Sequence, residues 1–206
     1  KNEKKYKTTL IILNQSMKNI YGILLSTILD EIIPMTRKAI LKGNKIFGAA
    51  ILNKKNFTTI VIGTNNEIIN PLMHGEISAI NKFYLNNHDE NINPKDCIFL
   101  TTHEPCSLCL SAITWAGFDN FFFFFPYADT KKTFNIPHDL NILSEIFYVK
   151  NGEYKKNNNY WKSYSILDEI KNDSKFTTKI RKIYSEYKKL SEKYQKLKKQ
   201  NNIPLN

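Results

Sequence analysis

Cysteine is scarce in this 206-residue chain, which has three, Cys97, Cys106 and Cys109. Three thiols cannot build the paired framework that small secreted folds rely on, so a reducing, cytoplasmic setting is the expectation. Long apolar runs are missing as well. The most apolar N-terminal stretch, Ile20 to Ile33, is interrupted by Ser26, Thr27, Asp30 and Glu31, which makes it too short and too polar to span a bilayer, and no membrane partner is expected. Acidic residues are outnumbered, 19 against 30 basic ones, for a formal charge of +11. The imbalance is local. Between Lys171 and Lys199 basic residues exceed acidic ones eleven to three, and the rest of the chain is only mildly basic. Any case for a nucleic-acid partner therefore rests on the tail. Nothing calls for two folding units, and 42% apolar residues suffice for one core.

Apolar spacing marks the elements. Ile20, Tyr21, Leu24, Leu25, Ile28, Leu29, Ile32 and Ile33 form one broad helical stripe. Pro34 opens a second helix through Leu41, which Gly43 is placed to end. Ile46–Leu52 and Phe57–Gly63 read as a β-hairpin. A helix from His74 to Tyr84, a polar loop Asn86–Lys95 and a strand Cys97–Thr102 follow, with Cys97 as a small buried hydrophobe. A helix then begins at Pro105 and stops near Gly117. The five phenylalanines Phe121–Phe125 read as a central strand buried on both faces. His138–Tyr148 suggests another helix and Lys150–Asn159 an exposed hydrophilic loop. After Tyr160-Trp161 a long basic helix carries Ile180, Ile183, Tyr187, Leu190, Tyr194 and Leu197 in a narrow seam, suited to one partner helix or to a groove on the body. Lys1–Lys7 is charged and expected to be loose. Strands alternating with helices imply an α/β sheet covered on both sides.

The chemistry gathers at Thr101-Thr102-His103-Glu104-Pro105-Cys106-Ser107-Leu108-Cys109 and His74-Gly75-Glu76. Proline fits the first turn of a helix, and thiols near a helix N-terminus favour thiolate. Two such thiolates share one soft cation, and a single imidazole makes three ligands while leaving a fourth position open, as catalytic zinc sites do. His74 is the third ligand this pattern points to, and Glu76 stands close enough to handle the protons of a bound water. A redox Cys-x-x-Cys would explain neither His74 nor Glu76, and a structural Cys₄ knot lacks thiols. His103 is expected at the strand edge or in solvent, and core packing is the default for Trp115.

His74-Gly75-Glu76-Ile77 and Thr102-His103-Glu104-Pro105-Cys106-Ser107-Leu108-Cys109 resemble, in order and type, the motifs of the cytidine deaminase-like zinc superfamily. The resemblance covers roughly residues 34–149. It implies a three-layer α/β/α fold with a central mixed sheet; outside that span the apolar spacing itself gives an N-terminal helical extension over 1–33 and a C-terminal loop and basic helix over 150–206. It implies one Zn²⁺ per chain on His74, Cys106 and Cys109, with Glu76 as the proton carrier of a hydrolytic deamination. Asn65 becomes the substrate-binding asparagine at the end of the second strand, with Asn66 next in line, and Gly75 is carried as a substrate contact. Trp115-Ala116 and Phe134–Asp139 are similar to segments of guanine deaminase-like relatives, making Trp115 and Asp139 substrate contacts. The partner implied is a small nucleobase or nucleoside, guanine-like or cytosine-like, in a homo-oligomer. The alternatives are a transfer-RNA adenosine deaminase that uses the basic C-terminal helix on nucleic acid, or an inactive zinc-containing partner subunit, against which the presence of Glu76 counts.

Overall fold

Proline and glycine shape the first helical segment. In the computed structural model, which describes residues 20–86 and 92–206, helix α1 (20–27) and helix α2 (Ile33–Ile40) are one continuous rod joined by a π turn, Ile28–Ile32. Pro34 sits in the first turn of α2, has no N–H to give and crowds the turn before it. The wider π turn, in which the Ile33 N–H reaches Ile28 O, accommodates the ring without ending the helix. Gly43, at φ +97°, then turns the chain in the left-handed region. Expectations for Lys1–Lys7, and for 87–91 of the polar loop, lie outside the described residues.

Five strands follow, β1 (Gly48–Asn53), β2 (Thr59–Thr64), β3 (Cys97–His103), β4 (Asn120–Phe125) and β5 (Lys162–Ser165), in the spatial order β2-β1-β3-β4-β5. β1 pairs antiparallel with β2 and β3, while β3, β4 and β5 run parallel. Parallel neighbours need a crossover. Between β3 and β4 it is α4 (Ser107–Trp115), and between β2 and β3 the chain forms α3 (Gly75–Asn86). After β4 come α5 (Tyr127–Lys132) and α6 (His138–Phe147), and after β5 come α7 (Ile166–Glu169) and α8 (Thr177–Leu197).

Strand β4 is buried on both faces, as its composition implied. Phe121 and Phe123 pack with Phe83 of α3 and Ile113 of α4, whereas Phe122 and Phe124 join Leu24, Ile28, Ile183 and Tyr187 on the other side. Three layers result, with a mixed sheet in the middle. Helices α1 and α8, from the segments expected as terminal extensions, join α2 in the second helical layer. The α8 seam lies on the body: Ile183, Tyr187, Leu190 and Tyr194 are buried, and Arg37 of α2 meets Glu186 of α8 at 2.6 Å.

Two stretches differ from expectation. The residues after Trp161 form β5 and α7 before the long helix begins. Lys162-Ser-Tyr-Ser165 carries no apolar alternation, so only the open edge of β4 selects it as a strand. The Lys150–Asn159 segment is not a free loop, because Tyr154 packs edge-on against Trp161 at 6.0 Å and donates its hydroxyl to Glu104 at 2.9 Å.

Candidate metal centre

His74 immediately precedes α3, and its carbonyl accepts the Ser78 N–H at 2.8 Å. Cys106 caps α4 and Cys109 lies in its first turn. Pro105 stands outside the helix, one residue before the cap, because Cys106 is extended at ψ 171°. The carbonyl of Pro105 is fixed by the Tyr127 hydroxyl. The start of α3 is held against the sheet by bare backbone. A Cβ on Gly63 would lie 2.3 Å from Gly75 O and 2.4 Å from Ala79 N, and one on Gly75 would lie 2.8 Å from Gly48 Cα. No side chain fits at either crossing, so the height of α3 over β1 and β2 is set by main-chain contact.

That placement brings three donors together. His74 Nδ1 is 3.5 Å from Cys106 Sγ and 3.6 Å from Cys109 Sγ, and all three ligand atoms lie within 4.8 Å of one another. Tetrahedral zinc, with Zn–S of about 2.3 Å and Zn–N of about 2.0–2.1 Å, separates sulfur from nitrogen by roughly 3.5 Å. The group fits one Zn²⁺ per chain. Cys97 is not a member of it; burial pushes that thiol up to about 11.

The charges suit a cation. A hydrogen bond from the Cys109 thiol, with help from His74, holds Cys106 well below the usual thiol range, and thiolate is the form that binds metal. Burial works to lower His74, but Cys106 outweighs it and lifts the imidazole to about 9. Glu76 is buried beside them, its Oε2 accepting from Cys109 Sγ at 3.3 Å. Burial first, and then the charge of Cys106, raise its carboxyl to about 7.

The other anticipated residues fall into different places. Asp139, in the first turn of α6, is half-buried, and burial followed by the charge of Cys106 holds its carboxyl well above the usual range while His74 opposes the rise. It therefore lies within electrostatic reach of the metal group. Asn65 is buried at the end of β2, and both ends of its amide are engaged: Oδ1 accepts from Gly75 N at 2.8 Å and Nδ2 donates to Glu67 Oε2 at 3.0 Å. Asn66 is half-buried beside it. Trp115 is not in the core. It ends α4 at 91% exposure, because the buried face of that helix runs through Cys109 and Ile113 and leaves position 115 pointing away.

His103 also corrects its expectation. Strand β3 is interior and buried along its whole length, and α8 closes over its end. The imidazole sits among Phe47, Phe125, Phe134 and Tyr187 at centroid distances from 4.7 to 5.2 Å, with Nδ1 3.0 Å from Thr102 Oγ1. Burial pushes it down to about 3, so it is neutral.

Two polar anchors had not been anticipated. Glu67 forms a buried ion pair with Lys45, Oε1 to Nζ at 2.7 Å, and its Oε2 accepts the Lys45 N–H at 3.1 Å. Glu104, one residue before Pro105, accepts from Tyr127 N at 3.1 Å and the Tyr154 hydroxyl at 2.9 Å, and meets Lys156 at 3.1 Å. Through Asn65 and Pro105 these carboxylates steady the two helix starts that carry the donors. The acids stand near the motifs in sequence, but Lys45 and Tyr154 do not, and only the fold brings them in.

Residues 25–125 match the family described as the cytidine and deoxycytidylate deaminase zinc-binding region. Among solved structures, a variant of NE0047 in complex with 8-azaguanine is similar at 15% identity and a TM-score of 0.51, covering 78% of this chain and 80% of that one. A guanine deaminase from Bacillus subtilis is similar at 22% identity and a TM-score of 0.48, with 74% and 93% covered. A guanine deaminase from Nitrosomonas europaea is similar at 17% identity and a TM-score of 0.46, with 75% and 81% covered. No curated protein matches the chain.

Proposed function

Because this chain belongs to the cytidine deaminase-like zinc superfamily, we propose that it is a zinc-dependent hydrolase that deaminates a small nucleobase or nucleoside, guanine-like or cytosine-like, with release of ammonia. The observation that carries this reading is the convergence of His74, Cys106 and Cys109 beside a buried carboxyl, Glu76, 3.3 Å from the Cys109 sulfur. Zinc, when bound, polarises water enough to yield a nucleophile near neutral pH. Glu76 moves the protons. Its carboxylate takes one from the attacking water and passes it to the ring nitrogen beside the amine-bearing carbon. It then takes the proton of the newly attached hydroxyl and gives it to the departing amine, so water and N=C–NH₂ become HN–C=O and NH₃.

On the substrate side, Asp139 offers a carboxyl to the N–H edge of a base, and Gly75 and Asn65 are the further contacts assigned to it. The exposed Trp115 and Leu108 on α4 support a homo-oligomer. Among the described residues no helix is long and apolar enough to cross a membrane, and the three free cysteines agree with a reducing cytoplasmic setting. A second reading, adenosine deamination in transfer RNA, is favoured by α8: with its seam on the body, Lys182, Lys188, Lys189, Lys193 and Lys196 are left facing solvent.

The test is ammonia release by the zinc-loaded protein from guanine, cytosine, cytidine, deoxycytidylate and adenosine, beside inosine formation in transfer RNA. Release from one small molecule supports the first reading. Inosine formation with silence on all five selects the second. Glu76→Gln should keep the metal and lower turnover by roughly 10²–10⁴-fold or more; retained turnover removes Glu76 from its role.

A further inference from the structure

Strand β2 is one edge of the sheet, and a cavity of about 710 Å³ opens between α2 and α3. Lys38 of α2, Lys42 of the turn after it and Lys82 of α3 line it, and no aspartate or glutamate does. Lys82 Nζ donates to Ile62 O at 2.8 Å. The ammonium groups of Lys38 and Lys42 have no hydrogen-bond or ion-pair partner among the described residues. Three lysines and no carboxylate around one cavity, two of them held by nothing among the described residues, make it electropositive.

From this geometry we infer that the cavity binds a nucleotide through its phosphate, at a site separate from the metal centre. A phosphate offers several strong acceptor oxygens to Lys38 and Lys42, and charge-assisted bonds of that kind are the stronger ones. The rest of the lining suits a nucleoside. Met35 and Tyr84 give apolar and aromatic surface, Asn66 gives an amide, and the volume lies within the range of small-molecule sites. None of His74, Glu76, Cys106 and Cys109 lines the cavity. The two sites nevertheless share a wall. The Ser78 N–H bonds His74 O at 2.8 Å, and the lining residue Asn65 holds Gly75 N at 2.8 Å.

The experiment is calorimetric titration of the zinc-loaded protein with inosine 5′-monophosphate, which has no exocyclic amine to lose, beside inosine and inorganic phosphate. Saturable binding of the nucleotide is expected, with inosine and phosphate each weaker by at least about ten-fold. The Lys38→Ser/Lys42→Ser variant, altered only at exposed positions of α2 and the turn after it, should weaken the nucleotide by at least about ten-fold and keep its zinc. Four results would overturn the inference. They are no saturation at millimolar nucleotide, unchanged affinity in the double lysine variant, inorganic phosphate binding as tightly as the nucleotide, and lysine-dependent binding of a short RNA without binding of the nucleotide. None of these readouts uses turnover, so failure here and failure of the deaminase reading are told apart.

Discussion

The two helical layers meet the same sheet in different ways. At the start of α3 the distance is set where main chain touches main chain, at Gly63, Gly75 and Gly48. On the α1–α2–α8 side it is set by large side chains: leucines, isoleucines, tyrosines and the aromatic ring around His103 fill the gap. Backbone contact leaves almost no freedom in height, whereas a thick layer of side chains can repack around a small change. His74, just before α3, stands where there is no slack. Geometry that must hold three atoms within 4.8 Å is thus separated from the layer that supplies most of the bulk.

The contrast can be broken in graded steps. Gly63→Ala attacks the main-chain crossing directly, and with a neighbour 2.3 Å from the new methyl it should cost about 3 kcal/mol and reduce the zinc bound per chain, as read by urea unfolding and metal analysis. Wild-type stability with full zinc would show that the crossing is not tight. The aromatic layer is probed by pH. With His103 near 3 when folded and about 6.5 when unfolded, the unfolded chain binds the extra proton between those values. Stability is therefore complete above pH ~6.5 and is lost as pH falls toward 3, by about 2 kcal/mol at pH 5 from this group. His103→Leu should flatten that part of the pH dependence in chemical denaturation. Ile32→Val, in the same layer, should cost only about 1 kcal/mol because its neighbours can close in. Smallest of all, Trp115→Ala at 91% exposure should change the unfolding free energy of dilute protein by less than about 0.5 kcal/mol. Its effect belongs in light scattering, as a shift toward the monomer.

What could be read in advance was what short range dictates. His74, Glu76, Cys106 and Cys109 announce themselves because metal ligation demands particular side chains at short spacings, and β4 because five phenylalanines leave no polar face. The α8 seam was visible too, but a seam does not say what it will lie on. His103 was misplaced because Thr-Thr-His-Glu looks polar on its own; it is buried by Phe134 and Tyr187, which lie far along the chain. The Lys45–Glu67 pair spans 22 residues with no pattern to mark it. Trp115 failed in the other direction: its hydrophobicity argued for the core, but helical phase put it outside. Where partners come from distant segments, local preference has no vote.

Layer closure from opposite ends of the chain bears on synthesis. A polypeptide emerging from the ribosome has all three metal donors once Cys109 is made, yet β4 comes later and α8 later still. Until that last helix arrives, the faces of Phe122 and Phe124 have only part of their cover, and a nascent chain that already holds its metal would still be adhesive. Chaperone dependence would fall on the second half of translation, after the chemistry is in place.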